Sequence, residues 1–450
     1  MASLKEVVVV DAVRSAIGKS GRKGMEKGGQ LCQASAQDLM ANTLRGLLER
    51  VRSRCPKFDE REIENVVIGC LSQIGEQGAN IARIASVLAG IPKEAAGCTV
   101  NQYCNSGLKA INISAHEIMV GEGEIVLCGG VEIMSHYAMM SDIQVAMQAN
   151  YPVRISPRLM ATGMATPQGF CAEMISADQG HTREDLERFG MWSMQKAVEA
   201  EQKGWYADHI VPFEFSWEGV TRRAEKDEVL RPKAVADHEA YFKDLMELPT
   251  PFKDKGLVSA GSSSQIVDGA AAVLLMSGGK AEALGIEPLC RIAACAVAGG
   301  EPVPMLLAPI PAARKALKRA GRTIDQMDII EPNEAFASPL LQFADELGYG
   351  RFDPRVNPTG GAIALGHPIG ASGALYFGEM VHYLKRTGGK AAVQMVCGGG
   401  GVGFATVVEA VLSPEISSRL SEARDLGMTE TSQRRRILDR FNFAGENFYT

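Results

Sequence analysis

Two stretches of this 450-residue chain echo one another, and the echo limits the fold more than any other feature. Val100-Asn101 precedes Ser106-Gly107, a helical pattern, and Cys128-Gly129-Gly130 at the end of a strand-like run. Val356-Asn357 precedes Ser372-Gly373, a second helical pattern, and Cys397-Gly398-Gly399, again ending a strand-like run. From Asn to Cys the spacing is 27 residues in the first copy (101 to 128) and 40 in the second (357 to 397). Most of the excess precedes the second Ser-Gly pair, in the Gly- and His-bearing stretch 360–368. Two copies of one α/β unit, the second with an added loop, explain this pattern; chance recurrence in a glycine-rich chain is the competing explanation. The length agrees, since it holds two or three domains of about 150 residues.

The remaining periodicity is also α/β. Short β-branched runs at Val7–Val10, Val66–Gly69, Ile125–Cys128, Ala271–Met276, Asp328–Ile330 and Ala392–Cys397 predict strands. Apolar faces at i, i+3 and i+4 predict helices over Ala36–Arg50, Ser106–Gly121 and Ala371–Arg386. Such alternation favours sheets buried between helices. Between Ser135 and Phe252 the chain turns rich in Met, Pro and charge and holds all three Trp, as an inserted or capping region would. Residues 413–450 open with Ser413-Pro414-Glu415, a good helix start, and continue charged to Phe448 and Tyr449. They predict a solvated helical extension, with Arg434-Arg435-Arg436 as the one hint of an anionic partner.

Composition excludes several classes. A net charge of −6 argues against nucleic-acid binding. No apolar run reaches the roughly 18 residues of a membrane span. Ten cysteines form no CxxC pair and no zinc-like spacing with histidine, which points to a reducing compartment and no metal site. The start runs straight into Val7 and the end, Phe-Tyr-Thr, is no peroxisomal signal, so a cytoplasmic location is the expectation. Glycine is in excess, at 48 residues, without a collagen period, which assigns it to turns, tight packing or backbone-lined sites.

Four motifs carry chemistry. Cys104 lies between a strand-like segment and a helix, where the helix dipole and free N–H groups favour thiolate; small Ser106 and Gly107 would admit a substrate carbonyl to the backbone. His367 lies in Gly360-Gly361-Ala-Ile-Ala-Leu-Gly366-His367-Pro-Ile-Gly370-Ala-Ser-Gly373, and such a loop lets backbone pass close to a ligand while neutral imidazole accepts a proton. Cys397-Gly398-Gly399-Gly400-Gly401-Val402-Gly403 formally contains GxGxxG, but Phe404–Val408 continues as a strand rather than a helix, so the dinucleotide reading fails. What remains is a second thiol on a rim of amides able to bind an oxyanion. Asn333-Glu334-Ala335-Phe336 follows a strand, where its polar pair fits a catalytic mouth or a plain helix cap.

Together, in type, order and spacing, these four motifs resemble the thiolase family over roughly residues 4–412. The resemblance implies two βαβαβαββ halves in a layered α-β-α-β-α core: residues 1–135 completed by about 258–285, a loop domain over the coenzyme A site at 136–257, and a second half at 286–412. It implies an acyltransferase that cleaves a 3-ketoacyl-CoA with CoA, or condenses two acyl-CoAs, and that degrades fatty or aromatic acyl-CoAs. CoA is its substrate, and no cofactor is permanently bound. Cys104 would be the acylated nucleophile, His367 its base and Cys397 the acid/base at the substrate α-carbon. Asn333 would position a water that forms one oxyanion hole with His367; the amides of Cys104 and Gly399 would form the other. Phe252, Ala260, Ser264, Ala335 and Phe336 would line the pantetheine channel. The partners implied are acyl-CoA, CoA and further copies of the chain, as a homodimer or homotetramer, with a protein partner for the tail as an additional option.

The chain departs from the common pattern in places. Asn105 replaces the small residue that usually follows the nucleophile, Gly261-Ser262-Ser263-Ser264 replaces Gly-Asn-x-Ser, and Pro167-Gln168-Gly169 replaces His-Met-Gly. Met134, Met139, Met140, Met160 and Met164 fit either a plastic acyl pocket or, more simply, core packing. Two alternatives stay open: a ketoacyl-synthase-like condensing enzyme, which would pair its cysteine with two histidines, and a non-catalytic acyl-CoA-binding or scaffold homologue.

Overall fold

The computed structural model describes residues 4–21 and 28–411. The predicted tail helix after residue 412 lies outside them. Among the described residues the strands are β1 (Val7–Ser15), β2 (Gly18–Lys19), β3 (Asn65–Gly69), β4 (Cys98–Val100), β5 (Ile125–Ile133), β6 (Ile210–Val211), β7 (Phe213–Trp217), β8 (Val220–Ala224), β9 (Val267–Ser277), β10 (Cys290–Gly299), β11 (Ile329–Pro332), β12 (Ala391–Gly398) and β13 (Val402–Glu409). The main path runs β11-β12-β13-β10-β1-β9-β5-β3-β4, with β2 and β6 appended and β7-β8 a separate hairpin.

That path has the same pairing pattern from either end. β3 and β5 are parallel, as are β11 and β12; β5-β9 and β9-β1 are antiparallel, as are β12-β13 and β13-β10. Even the short β4, parallel to β3, has a counterpart in the parallel bridge of Val356 to Ile330. The halves join where β1 meets β10 at Val8–Arg291 and Val9–Cys290. The echo in the sequence is therefore an architectural repeat. β10 escapes sequence reading because Cys-Arg-Ile-Ala-Ala-Cys-Ala-Val-Ala-Gly has little strand propensity; eight residue pairs with β13 impose it.

Alternation along each strand builds the layers. Val7 and Val9 face the central helices Ser106–Val120 and Ile369–Thr387, while Val8, Val10 and Val13 face the outer helices Ala36–Arg54 and Ile81–Leu88. In the second half Val396, Phe404 and Val408 face the central helices, while Val393, Met395 and Val407 face the outer helices Pro309–Ala320 and Ala337–Leu347. The result is the layered α-β-α-β-α order. Both sheet faces are covered, which is why the strands read as unbroken apolar runs.

The repeated Ser-Gly pairs lie where the two central helices meet. A Cβ on Gly107 would lie 2.7 Å from the Ala374 amide nitrogen, and one on Gly373 would lie 2.3 Å from that of Leu108. Gly107 is buried in this contact and Ser106 is buried with its hydroxyl bonded inside the Cys104 turn, so the expectation that their small size opens the backbone to a substrate carbonyl is replaced by packing. The methionines also need correction. Met134 is core, but Met139, Met140, Met160 and Met164 are exposed, and helices Ser141–Gln148 and Pro157–Ala161 beside them bury no residue. Core packing explains only Met134.

Candidate active site

Cys104 ends a tight turn held by its neighbours. Asn101 Oδ1 accepts from the Tyr103 amide at 3.0 Å, and Ser106 Oγ accepts from Gln102 N at 2.9 Å while donating to Tyr103 O at 2.6 Å. Tyr103 is driven to φ +54°, a strained left-handed geometry for a residue with a side chain. The turn sets the thiol just ahead of helix Ser106–Val120. Position there predicts a depressed thiol pKa, but burial outweighs the dipole and pushes it up to about 11; the Gln168 side chain opposes that rise and Glu132 adds to it. Cys104 therefore rests as the thiol at pH 7. Gln168, first residue of helix Gln168–Asp178, belongs to the site although the motifs did not mark it; the unusual Pro167-Gln168-Gly169 was the available signal.

The hydrogen bonding of His367 fixes its tautomer. Its Nδ1 lies 2.5 Å from Ser372 Oγ, whose own proton goes to Pro368 O at 2.9 Å. Nδ1 must then carry the proton, leaving Nε2 as the bare acceptor. Nε2 is buried and hydrogen-bonds no described residue, Cys104 included. Burial pushes the imidazole down to about 4, so it is neutral at pH 7. The glycines around it serve protein packing rather than ligand approach. A Cβ on Gly360 would meet Ala197, on Gly361 the Glu334 carboxylate, on Gly366 Val267, and on Gly370 the Cys70 backbone. The expectation that this loop's glycines admit a ligand is thereby replaced.

Asn333 follows β11 and donates its amide N–H to Met395 O of β12 at 2.8 Å. Both polar atoms of its side chain are buried and neither makes a hydrogen bond of good geometry among the described residues, although the side chain lies close enough to act on the Cys397 thiol. Its neighbour Glu334 is structural, accepting from Ser193 Oγ, Asn357 Nδ2 and Ile363 N and so fixing the segment that leads to His367. Cys397 ends β12. Burial pushes its thiol well up, the Cys104 thiol raises it further, and the Asn333 side chain opposes the rise. Cys104, Cys397 and Asn333 are thus brought together. A Cβ on Gly399 would lie 3.1 Å from the Tyr103 ring, which places that amide beside the Cys104 turn. Gly400 and Gly401 take left-handed φ of +72° and +80° in the loop to β13, a strand, as predicted against a dinucleotide site.

Four of the five predicted channel residues, Phe252, Ser264, Ala335 and Phe336, come together. Phe252 meets Phe336 edge-to-face at 5.7 Å, and Ser264 N donates to Ala335 O at 3.0 Å. Ala260 is exposed on the same 259–264 loop. Two buried acids that the motifs missed hold this loop: Glu173 accepts from the amides of Leu257 and Val258, and Glu187 from the hydroxyls of Ser259 and Ser262. Both sit on buried helix faces, where a lone acid gives little sequence signal. Among the described residues no group of three or more His, Cys, Asp or Glu is placed to hold a metal ion.

Comparison with known proteins agrees with this geometry. The thiolase N-terminal domain matches residues 7–279 and the thiolase C-terminal domain residues 286–410. The chain belongs to the thiolase family. A 3-ketoacyl-CoA thiolase of Marinobacter nauticus is 40% identical over 90% of this chain and 99% of its own length. One from Idiomarina loihiensis is 38% identical over 91% and 100%. The crystal structure of the Bacillus anthracis acetyl-CoA acetyltransferase superposes with a TM-score of 0.78 at 31% identity, covering 91% of this thiolase and 100% of that chain. This thiolase is accordingly an acyltransferase. No helix among its described residues is long and apolar enough to cross a membrane.

Proposed function

We propose that this thiolase cleaves 3-ketoacyl-CoA with CoA, or runs the reverse condensation, through an acyl group on Cys104. His367 Nε2 takes the Cys104 proton as sulfur attacks the keto carbonyl. The bond between the keto carbon and the α-carbon breaks, its electron pair passing to the enolate of acetyl-CoA, which Cys397 protonates, while the shortened acyl group stays on Cys104. CoA then enters, gives its proton to Cys397 and takes the acyl group from sulfur, and the Cys104 thiolate so released recovers its proton from His367. Asn333, through a water, and His367 stabilise one oxyanion; the amides of Cys104 and Gly399 stabilise the other. Residues 136–257 act as the domain over the CoA channel formed by Phe252, Ala260, Ser264, Ala335 and Phe336.

The observation that carries this reading is the seating of the Cys104 turn against the strand end that bears Cys397, with Tyr103 beside Gly399 and Asn105 beside Gly398, from two halves of a repeated fold. Asn333 stands where a ketoacyl synthase would place a second histidine, which favours thiolase chemistry. The cysteine usage supports a reducing, cytoplasmic setting, and the edge position of β4 supports assembly with further copies of the chain. The names of the relatives favour a role in fatty acyl breakdown. Thiolysis of a panel of 3-ketoacyl-CoAs tests the proposal, with Cys104→Ala as control. Turnover in the wild type alone supports it; no turnover with any chain length, or equal turnover in the variant, contradicts it.

A further inference from the structure

Asn105 follows the nucleophile at a position where thiolases usually carry a small residue. It occupies the N-cap of helix Ser106–Val120, where asparagine ordinarily accepts from the free helix N–H groups, yet it makes no such bond. Instead its side chain, wholly buried, turns to β12. There the amide orientation that satisfies both of its polar atoms, assigned from the hydrogen-bonding partners, has Nδ2 donating to Val396 O at 2.8 Å and Oδ1 accepting from Gly398 N at 3.1 Å. These two backbone groups bracket Cys397. One amide therefore ties the strand end that bears Cys397 to the turn that bears Cys104.

Gly398 is the complement of this side chain. A Cβ at 398 would lie 2.3 Å from the end of the Asn105 amide. Unlike Gly400 and Gly401, Gly398 does not adopt a left-handed conformation, so its backbone geometry does not demand glycine. Asn105 does. The next amide along, Gly399, packs against Tyr103 on the other side of the nucleophile. Cys104 and Gly399, the two proposed oxyanion donors, thus flank the linkage.

We propose that Asn105 is a positioning residue that holds the Cys104 turn and the Cys397 strand end in register, and that Asn105 and Gly398 work as a matched pair. The proposal rests on the thiolase reading of this site. It is tested with full-length wild type, Asn105→Ala, Gly398→Ala and the double variant, each checked by thermal melting. Two reactions are followed: steady-state thiolysis of acetoacetyl-CoA, and deuterium exchange at the α-carbon of acetyl-CoA, which reports Cys397. Asn105→Ala lowers kcat and the exchange rate by about ten-fold or more, with KM held within about two-fold. Gly398→Ala is similarly harmful alone but costs almost nothing further once Asn105 is alanine. Asn105→Ser, polar but too short to span both partners, replaces the alanine variant in case the latter melts below assay temperature. Wild-type turnover with an unimpaired Asn105 variant, or losses that simply add in the double variant, overturns the proposal. A wild type that neither turns over nor exchanges overturns the thiolase reading, and the proposal with it.

Discussion

Ser372 fixes the protonation of His367: its hydroxyl donates to Pro368 O and so accepts from Nδ1 at 2.5 Å. Both residues belong to one stretch, the serine on the first turn of helix Ile369–Thr387 and the histidine just before it. The helix start thus sets the tautomer, and the tautomer sets which nitrogen can receive a proton.

Removing that hydroxyl frees the ring to rotate and to place its proton on either nitrogen. Ser372→Ala is expected to lower kcat by about ten-fold or more while KM stays nearly constant, because the loss falls on proton transfer and not on binding. Steady-state thiolysis measures both constants. An unchanged kcat would show that Ser372 does not orient the base.

The close crossing of the central helices makes a stability prediction. Gly373→Ala places a methyl against the Leu108 backbone, which a flexible side chain cannot relieve. Urea unfolding should show a loss of about 1–3 kcal/mol, the usual cost of overpacking. Stability equal to wild type would mean that the helices separate freely and that the repeated Ser-Gly pairs are not a packing requirement.

The fold was largely legible, and its gaps have physical causes. The echo around Cys128 and Cys397 announced two similar halves because pairing, helix contact and strand-end glycines recur at matching positions. The catalytic candidates Cys104, His367, Asn333 and Cys397 were legible from their motifs. The resting state of Cys104 was not: a motif shows the helix dipole, whereas desolvation by distant elements decides the proton. Glycine roles were likewise misassigned around His367, since a sequence shows that a side chain is missing without showing what lies against it. Glu173 and Glu187 escaped notice, and Gln168 was marked only as a departure from the family pattern, because each acts across a long sequence separation on a partner that composition does not reveal.

Buried imidazoles give the molecule an acid-side weakness. His382 stacks on His209 at 4.5 Å, bonds Ala12 O at 2.7 Å and lies near Asp11; burial, reinforced by His209, pushes it down to about 4. In the unfolded chain it titrates near pH 6.5, so between about pH 6.5 and 4 the unfolded state binds the proton and the native state does not. Stability is therefore full above that window and falls as pH drops through it, by up to about 1.4 kcal/mol per pH unit for this one group. Urea unfolding at pH 7 and pH 5.5 should show a smaller decline for His382→Gln than for wild type. Identical declines would mean that His382 protonates freely in the folded protein.

The most direct test is to trap the acyl enzyme. The protein is mixed with acetoacetyl-CoA without free CoA, quenched in acid, digested and mapped by mass spectrometry. The prediction is one acetyl group on the peptide that holds Cys104, none on the Cys397 peptide, and none anywhere in Cys104→Ala. An acetyl group on another residue, or CoA-dependent turnover by the Cys104→Ala protein, would contradict the assignment of Cys104 as nucleophile.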